Sequence, residues 1–107
     1  MTEQEKIPIV AATRLRSGIL YTINFDQQGD TCQSVNVAKV DYPTVTSAII
    51  LHRYPDDDMT AVINNYLLSP DDDVAKSEFG AMQEWRKHAK EVAKAAVEEY
   101  GRLYPDI

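Results

Sequence analysis

The last third of the chain limits the possible folds more than any other part. Ser69-Pro70-Asp71-Asp72-Asp73 opens an alanine-rich run in which Met82, Trp85, Ala89, Val92 and Ala96 recur at helical spacing. Ser69 suits an N-cap, Pro70 the first helical position and Asp72 the third, and Gly101 and Pro105 mark the end. The pattern predicts one helix over about residues 70–103. At roughly 30 residues such a helix is about 45 Å long, more than the width of a compact domain of this size. Its far end is therefore expected to project or to lie against another chain.

The stripe on this helix defines the expected interface: Met82, Trp85, Ala89, Val92, Ala93, Ala96, Tyr100 and Leu103. The small alanines allow close approach of a partner helix, either from the same chain or from a second subunit. Tyr100 and Tyr104 give the distal end the amphipathic character common at interfaces.

Upstream, the signals change from period 3.6 to period two. Ile19, Tyr21, Ile23 and Phe25 alternate with Leu20, Thr22 and Asn24, the turn-forming Asp26-Gln27-Gln28-Gly29-Asp30 follows, and Thr31 to Val40 returns with Val35 and Val37 on one face. Cys32, Ser34 and Asn36 on the other face imply a wet side. Ile7 to Ala12 supplies a possible third strand, which Pro8 would push to an edge.

Tyr42-Pro43 breaks the sheet. Thr44 then caps a short helix with Val45, Ala48, Ile49 and His52 on one side; the alternative is a strand, given the β-branched residues in 44–51. Helix is the preferred reading. Tyr54-Pro55 ends it, and Asp56-Asp57-Asp58 starts a second helix whose Met59, Val62, Ile63, Tyr66 and Leu67 make a clear apolar face. The expected fold class is α+β: an N-terminal antiparallel β-hairpin or three-stranded sheet packed against two short helices and one long C-terminal helix. Residues 1–107 form one expected domain, mainly β over 1–41 and mainly α over 42–107. Its core should draw on Ile19, Tyr21, Ile23, Phe25, Val35, Val37, Ile49, Val62, Ile63, Tyr66, Met82, Trp85 and Val92.

Composition narrows the function classes. The 107 residues are 44% hydrophobic and 26% charged, ordinary for one globular domain, and the formal net charge is -6. Eleven of the acids fall in residues 1–73 against five Lys/Arg, which argues against nucleic acid and anionic membranes as partners. The polar N-terminus and the short, proline-interrupted run Ile7 to Ala12 resemble neither a signal peptide nor a span, and the lone Cys32 excludes an internal disulfide. A cytoplasmic protein is expected.

Catalytic signals are missing. No nucleophile constellation, metal-ligand spacing or phosphate loop occurs, so no enzyme, cofactor or metal is expected. The two Asp triplets sit at helix starts, where carboxylates cap and oppose the macrodipole; a weak cation site shared between them is the alternative. His52 reads as a boundary residue, and Glu84 is placed to pair with His88. Arg86, Lys87, Lys90 and Lys94 beside Trp85 form a basic cluster able to take an acidic ligand, although a solvated helix face balanced by Glu84, Glu91 and Glu98 is the preferred reading.

Three stretches, Tyr42 to Ile50, Tyr54 to Met59 with Asn64-Asn65-Tyr66-Leu67, and Phe79-Gly80-Ala81-Met82-Gln83-Glu84-Trp85-Arg86-Lys87, resemble small uncharacterised proteins of phage-like elements in gut bacteria. That resemblance implies an accessory or virion-assembly role and transfers no functional residue. The expected function is a non-enzymatic protein-protein interaction or assembly module with a protein partner or a second copy; a small binding domain for a cation or acidic ligand is the alternative.

Overall fold

A computed structural model describes residues 7–104. The chain runs β1 (Val10–Leu15), β2 (Gly18–Gln28), β3 (Thr31–Val37), α1 (Tyr42–Arg53), α2 (Asp56–Leu68) and α3 (Asp73–Leu103). The fold is α+β, with a three-stranded antiparallel meander in the order β1-β2-β3 followed by three helices.

The sheet forms where the period-two pattern is strongest. Tyr21, Ile23 and Phe25 of β2 point inward, Ile23 pairing with Val10 on one side and Val35 on the other. The opposite face is wet, and its Thr22 Oγ1 donates to Asn36 Oδ1 at 2.9 Å. The third strand exists and is an edge, but it begins at Val10, beyond Pro8. Arg16 and Ser17 make the two-residue connection to β2, and Gly18 adopts a φ of 139°.

β2 continues through residues expected to form the turn. Phe25 pairs with Gln33 but Gln28 with Thr31, so β2 carries one extra residue. Asp26 takes that residue's conformation at φ 53°, a bulge, and Gly29 at φ 64° makes the turn. Return strand β3 stops at Val37, short of the expected Val40.

The 44–54 segment is helical, and its cap is Asp41, not Thr44. Asp41 Oδ1 accepts the Thr44 N–H at 2.8 Å, and the proline read as a break lies in the first turn, where no intrahelical N–H is needed. These hydrogen bonds from Thr44, aided by Lys39, pull the Asp41 carboxyl from 3.8 to about 2. The cap of α3 is likewise Asp72, whose Oδ2 accepts the Ala75 N–H at 2.9 Å. Ser69 instead terminates α2 by donating its N–H to Asn65 O, and Pro70 and Asp71 lie in the turn before α3, so the long helix starts at Asp73 and not at Pro70.

The core lies between the inner sheet face, α1 and the C-terminal half of α3. Ile23, Val45, Ile49, Ala89, Ala93 and Ala96 are fully buried there. The alanines let α3 approach its neighbours closely, and Trp85 Nε1–H donates to the Ile49 carbonyl at 3.0 Å. Tyr100 closes the lower end edge-on to Tyr21, their rings 5.4 Å apart, and its hydroxyl raises the Tyr21 pKa. Two expected core groups are absent from this interior. Ile19 sits near the tip of the β1–β2 hairpin and is exposed, and no residue of α2 is buried.

Candidate functional surface

The apolar stripe of α3 is taken up by the chain's own sheet and helices. Met82, Trp85, Ala89, Ala93 and Ala96 are buried, Val92 and Tyr100 are half-buried against the core, and Leu103 is exposed at the helix end. Residues expected to receive another chain thus hold this one together.

α3 serves as a spine for two unequal lobes. Along its C-terminal half it carries the sheet and α1; α2 folds back along its N-terminal half, held by Tyr66 stacked on Phe79 at 4.3 Å between ring centroids. Met59, Val62, Ile63 and Tyr66 reach only partial burial there. Leu67 is 69% exposed, Leu68 82% and Val74 63%. Adjacent leucines point about 100° apart on a helix, so one apolar contact cannot cover both. Leu67 was expected on the buried face, and Leu68 and Val74 escape a reading that looks only for one periodic stripe.

Acidic residues flank α2 at both ends, and two cations stand near the first of them, Arg53 sharing a cleft with Asp58 and Arg86 one with Asp56. Met59 to Pro70 is a run of twelve residues without a charge, bounded by Asp56-Asp57-Asp58 and Asp71-Asp72-Asp73. No Lys or Arg occurs between Arg53 and Lys76. All six aspartates are exposed; Asp72 is engaged as the α3 cap, and among the described residues none of the six forms an ion pair. Nor, among the described residues, do three His, Cys, Asp or Glu side chains gather as metal ligands.

The remaining candidates are dispersed. Lys87, Lys90 and Lys94 are exposed on one flank of α3, Arg86 is half-buried beside Leu51 and Met59, and the adjoining Trp85 ring faces inward. Arg53, not one of these four, lies over that ring at 5.1 Å. His88 departs from its expected partner: Nε2 meets Asp26 Oδ1 at 2.7 Å, because the bulge brings Asp26 to α3. His52 is exposed, its ring nearly perpendicular to that of Phe25 at 6.1 Å between centroids. Cys32 Sγ lies 3.7 Å from Asn24 Oδ1 and lines a cleft of about 230 Å³ with Ile7, Ile9, Phe25 and Val92. That volume falls below the roughly 300 Å³ of small-molecule sites.

Among the described residues no helix is long and apolar enough to cross a membrane. Comparison with family models, curated proteins and solved structures finds no match to the chain.

Proposed function

We propose that the chain is a non-enzymatic protein-protein interaction module and that its working surface is the α2–α3 hairpin. The observation that carries this reading is α2 itself, a helix with a regular apolar face of which no residue is buried and whose last two leucines are open to solvent. Leu68 and Val74 line one cleft, and apolar side chains left open together on a folded domain are a mark of an interaction site.

Shape and area support it. The radius of gyration is 16.7 Å, against about 13 Å for a compact chain of this length. The surface of 7700 Å² exceeds by about 1,700 Å² the value of roughly 6,000 Å² for a compact monomer of this mass. One side of a standard interface needs about 800 Å². An accessory or assembly role, as the sequence resemblance implies, fits a module of this kind.

The test is sedimentation equilibrium over a hundredfold concentration range, combined with a photo-crosslinking residue at Leu68 or at Ser34 on the wet sheet face, in cells that make the protein. A dimer, or a protein crosslinked from position 68 and not from 34, supports the reading. A monomer with no crosslink from either position rejects it.

A further inference from the structure

We infer that the outer edge of β1 takes an extended, acidic segment of another protein as a fourth strand, at a site separate from α2. β1 has a strand neighbour on one side only, and Ala11 to Leu15 are all exposed. The bond from the Asn24 N–H to the Ile9 carbonyl sets the alternation of the ladder. In this register Ala11, Thr13 and Leu15 exchange hydrogen bonds with β2, while Val10, Ala12 and Arg14 turn their N–H and C=O groups outward. Among the described residues those outward groups have no backbone partner. A row of this kind is the template that an added strand completes.

The charges at the β1–β2 tip select the occupant. Arg14 stands opposite Ile19 in the ladder and Arg16 lies in the connection; both are exposed, and among the described residues neither forms an ion pair. Leu15 and Ile19 are exposed beside them. From Ile7 to Phe25 the chain has these two arginines and no acid, although its net charge is -6. A second copy pairing β1 with β1 would therefore bring two more arginines to the seam and no acid from either strand. Glu99, near Ile7 and Ile9 at the other end of β1, is held by Arg102 of its own helix. β3, the other edge of the sheet, contains no charged residue with which to choose a partner. An antiparallel strand with Asp or Glu opposite Arg14 gains both the ladder and an opposite-charge cross-strand pair, whereas Lys at that place is repelled. Arg14 is near the C-terminal end of β1, so the acids belong among the first residues of the antiparallel partner.

The experiment uses the full chain and three fluorescent peptides of about eight residues. The first begins Asp-Glu and continues with alternating Val and Thr; the second begins Lys-Lys instead; the third is the first with its four central amides N-methylated, which removes ladder donors on both of its edges. Anisotropy should show the first binding at about 10–100 micromolar, and about tenfold or more tighter than the other two. Hydrogen exchange of the Ala12 and Arg14 amides should slow when it binds. Arg14→Glu/Arg16→Glu should reverse the preference, so that the Lys-led peptide binds better than the acidic one. Ala12→Pro deletes an N–H that points away from β2, so it should abolish binding while circular dichroism reports an intact fold. Leu68→Asp should leave binding unchanged.

No binding of the first peptide, equal binding of the second or third, or binding that survives Ala12→Pro overturns the inference. So does a preference that the two Arg→Glu changes fail to reverse; those residues are exposed and their substitution leaves the ladder untouched, so this arm decides even where Ala12→Pro unfolds the sheet. A dimer of the free chain that Ala12→Pro dissociates also overturns it, by giving the edge to a second copy.

Discussion

The indole N–H of Trp85 donates to the main-chain carbonyl of Ile49 at 3.0 Å, tying the middle of α3 to the last turn and a half of α1. The bond is buried and spans 36 residues of sequence, so it fixes helix against helix and not merely side chain against side chain. Trp85→Phe keeps most of the apolar volume and removes the donor, and should cost about 0.5–1.5 kcal/mol. Trp85→Ala should cost about 3–5 kcal/mol. Urea titrations of the two variants check this; equal losses would mean that the hydrogen bond adds nothing beyond packing.

Ala93 is fully buried against the chain's own core. Ala93→Leu should therefore destabilise the monomer by about 1–3 kcal/mol through overpacking, and Ala93→Glu should do so more severely by burying an unpaired charge. The expected readout is a lower urea midpoint at every protein concentration. A midpoint that depends on concentration only in the parent chain would instead place Ala93 at a subunit contact.

Leu68→Asp should change stability by no more than about 0.5 kcal/mol, as surface substitutions do. Ile23→Ala, fully buried at the centre of β2, should cost about 2–5 kcal/mol. Thermal unfolding of both variants separates a surface held for contact from residues held for folding.

The Asp41 cap carries a pH dependence of known sign. Its carboxyl titrates near 2 in the folded chain instead of at 3.8, chiefly because it accepts hydrogen bonds from Thr44. The folded state therefore favours the charged form. This contribution is complete above the unfolded value and is lost as pH falls through the folded one. The stability gap between the parent chain and Asp41→Ala should hold constant from pH 7 to about 5 and close as pH approaches about 2. A gap that persists unchanged at the lowest pH would show that the side chain acts in some other way.

Asp26 occupies a left-handed conformation at φ 53° in the β2 bulge. Asp26→Val should lose about 1–2 kcal/mol from backbone strain alone, whereas Asp26→Asn, a residue tolerant of this region, should retain the bulge. Urea midpoints for the two substitutions check it, and parity between them would remove the strain argument.

Period-two and period-3.6 patterns were enough to find the sheet, all three helices and the inward faces of β2 and α3. Caps were harder to read. Ser69 and Thr44 have the right chemistry for N-caps, yet Asp72 and Asp41 hold those positions, because a proline can sit in the first turn or just before it. The bulge at Asp26 left no trace in composition, and with it the Asp26–His88 contact was hidden. Met82, Trp85 and Ala96 were read as an interface since a periodic stripe does not say whose chain will cover it. The exposed corner lay in the opposite blind spot: Met59, Val62, Ile63 and Tyr66 look like core residues, and only the tertiary arrangement shows that they are no more than half-buried.

Since α3 carries the sheet and α1 on one half and only α2 on the other, resistance to opening should be graded along its length. Backbone amides around Ala89, Ala93 and Ala96 should exchange with solvent deuterium near the rate of global unfolding, whereas those of α2 and the first turns of α3 should open at a lower free energy as a separate cooperative unit. The chain would then hold a firm platform and a looser arm on one continuous helix. Occupation of the arm would be readable as slowed exchange in α2, with no change in the platform.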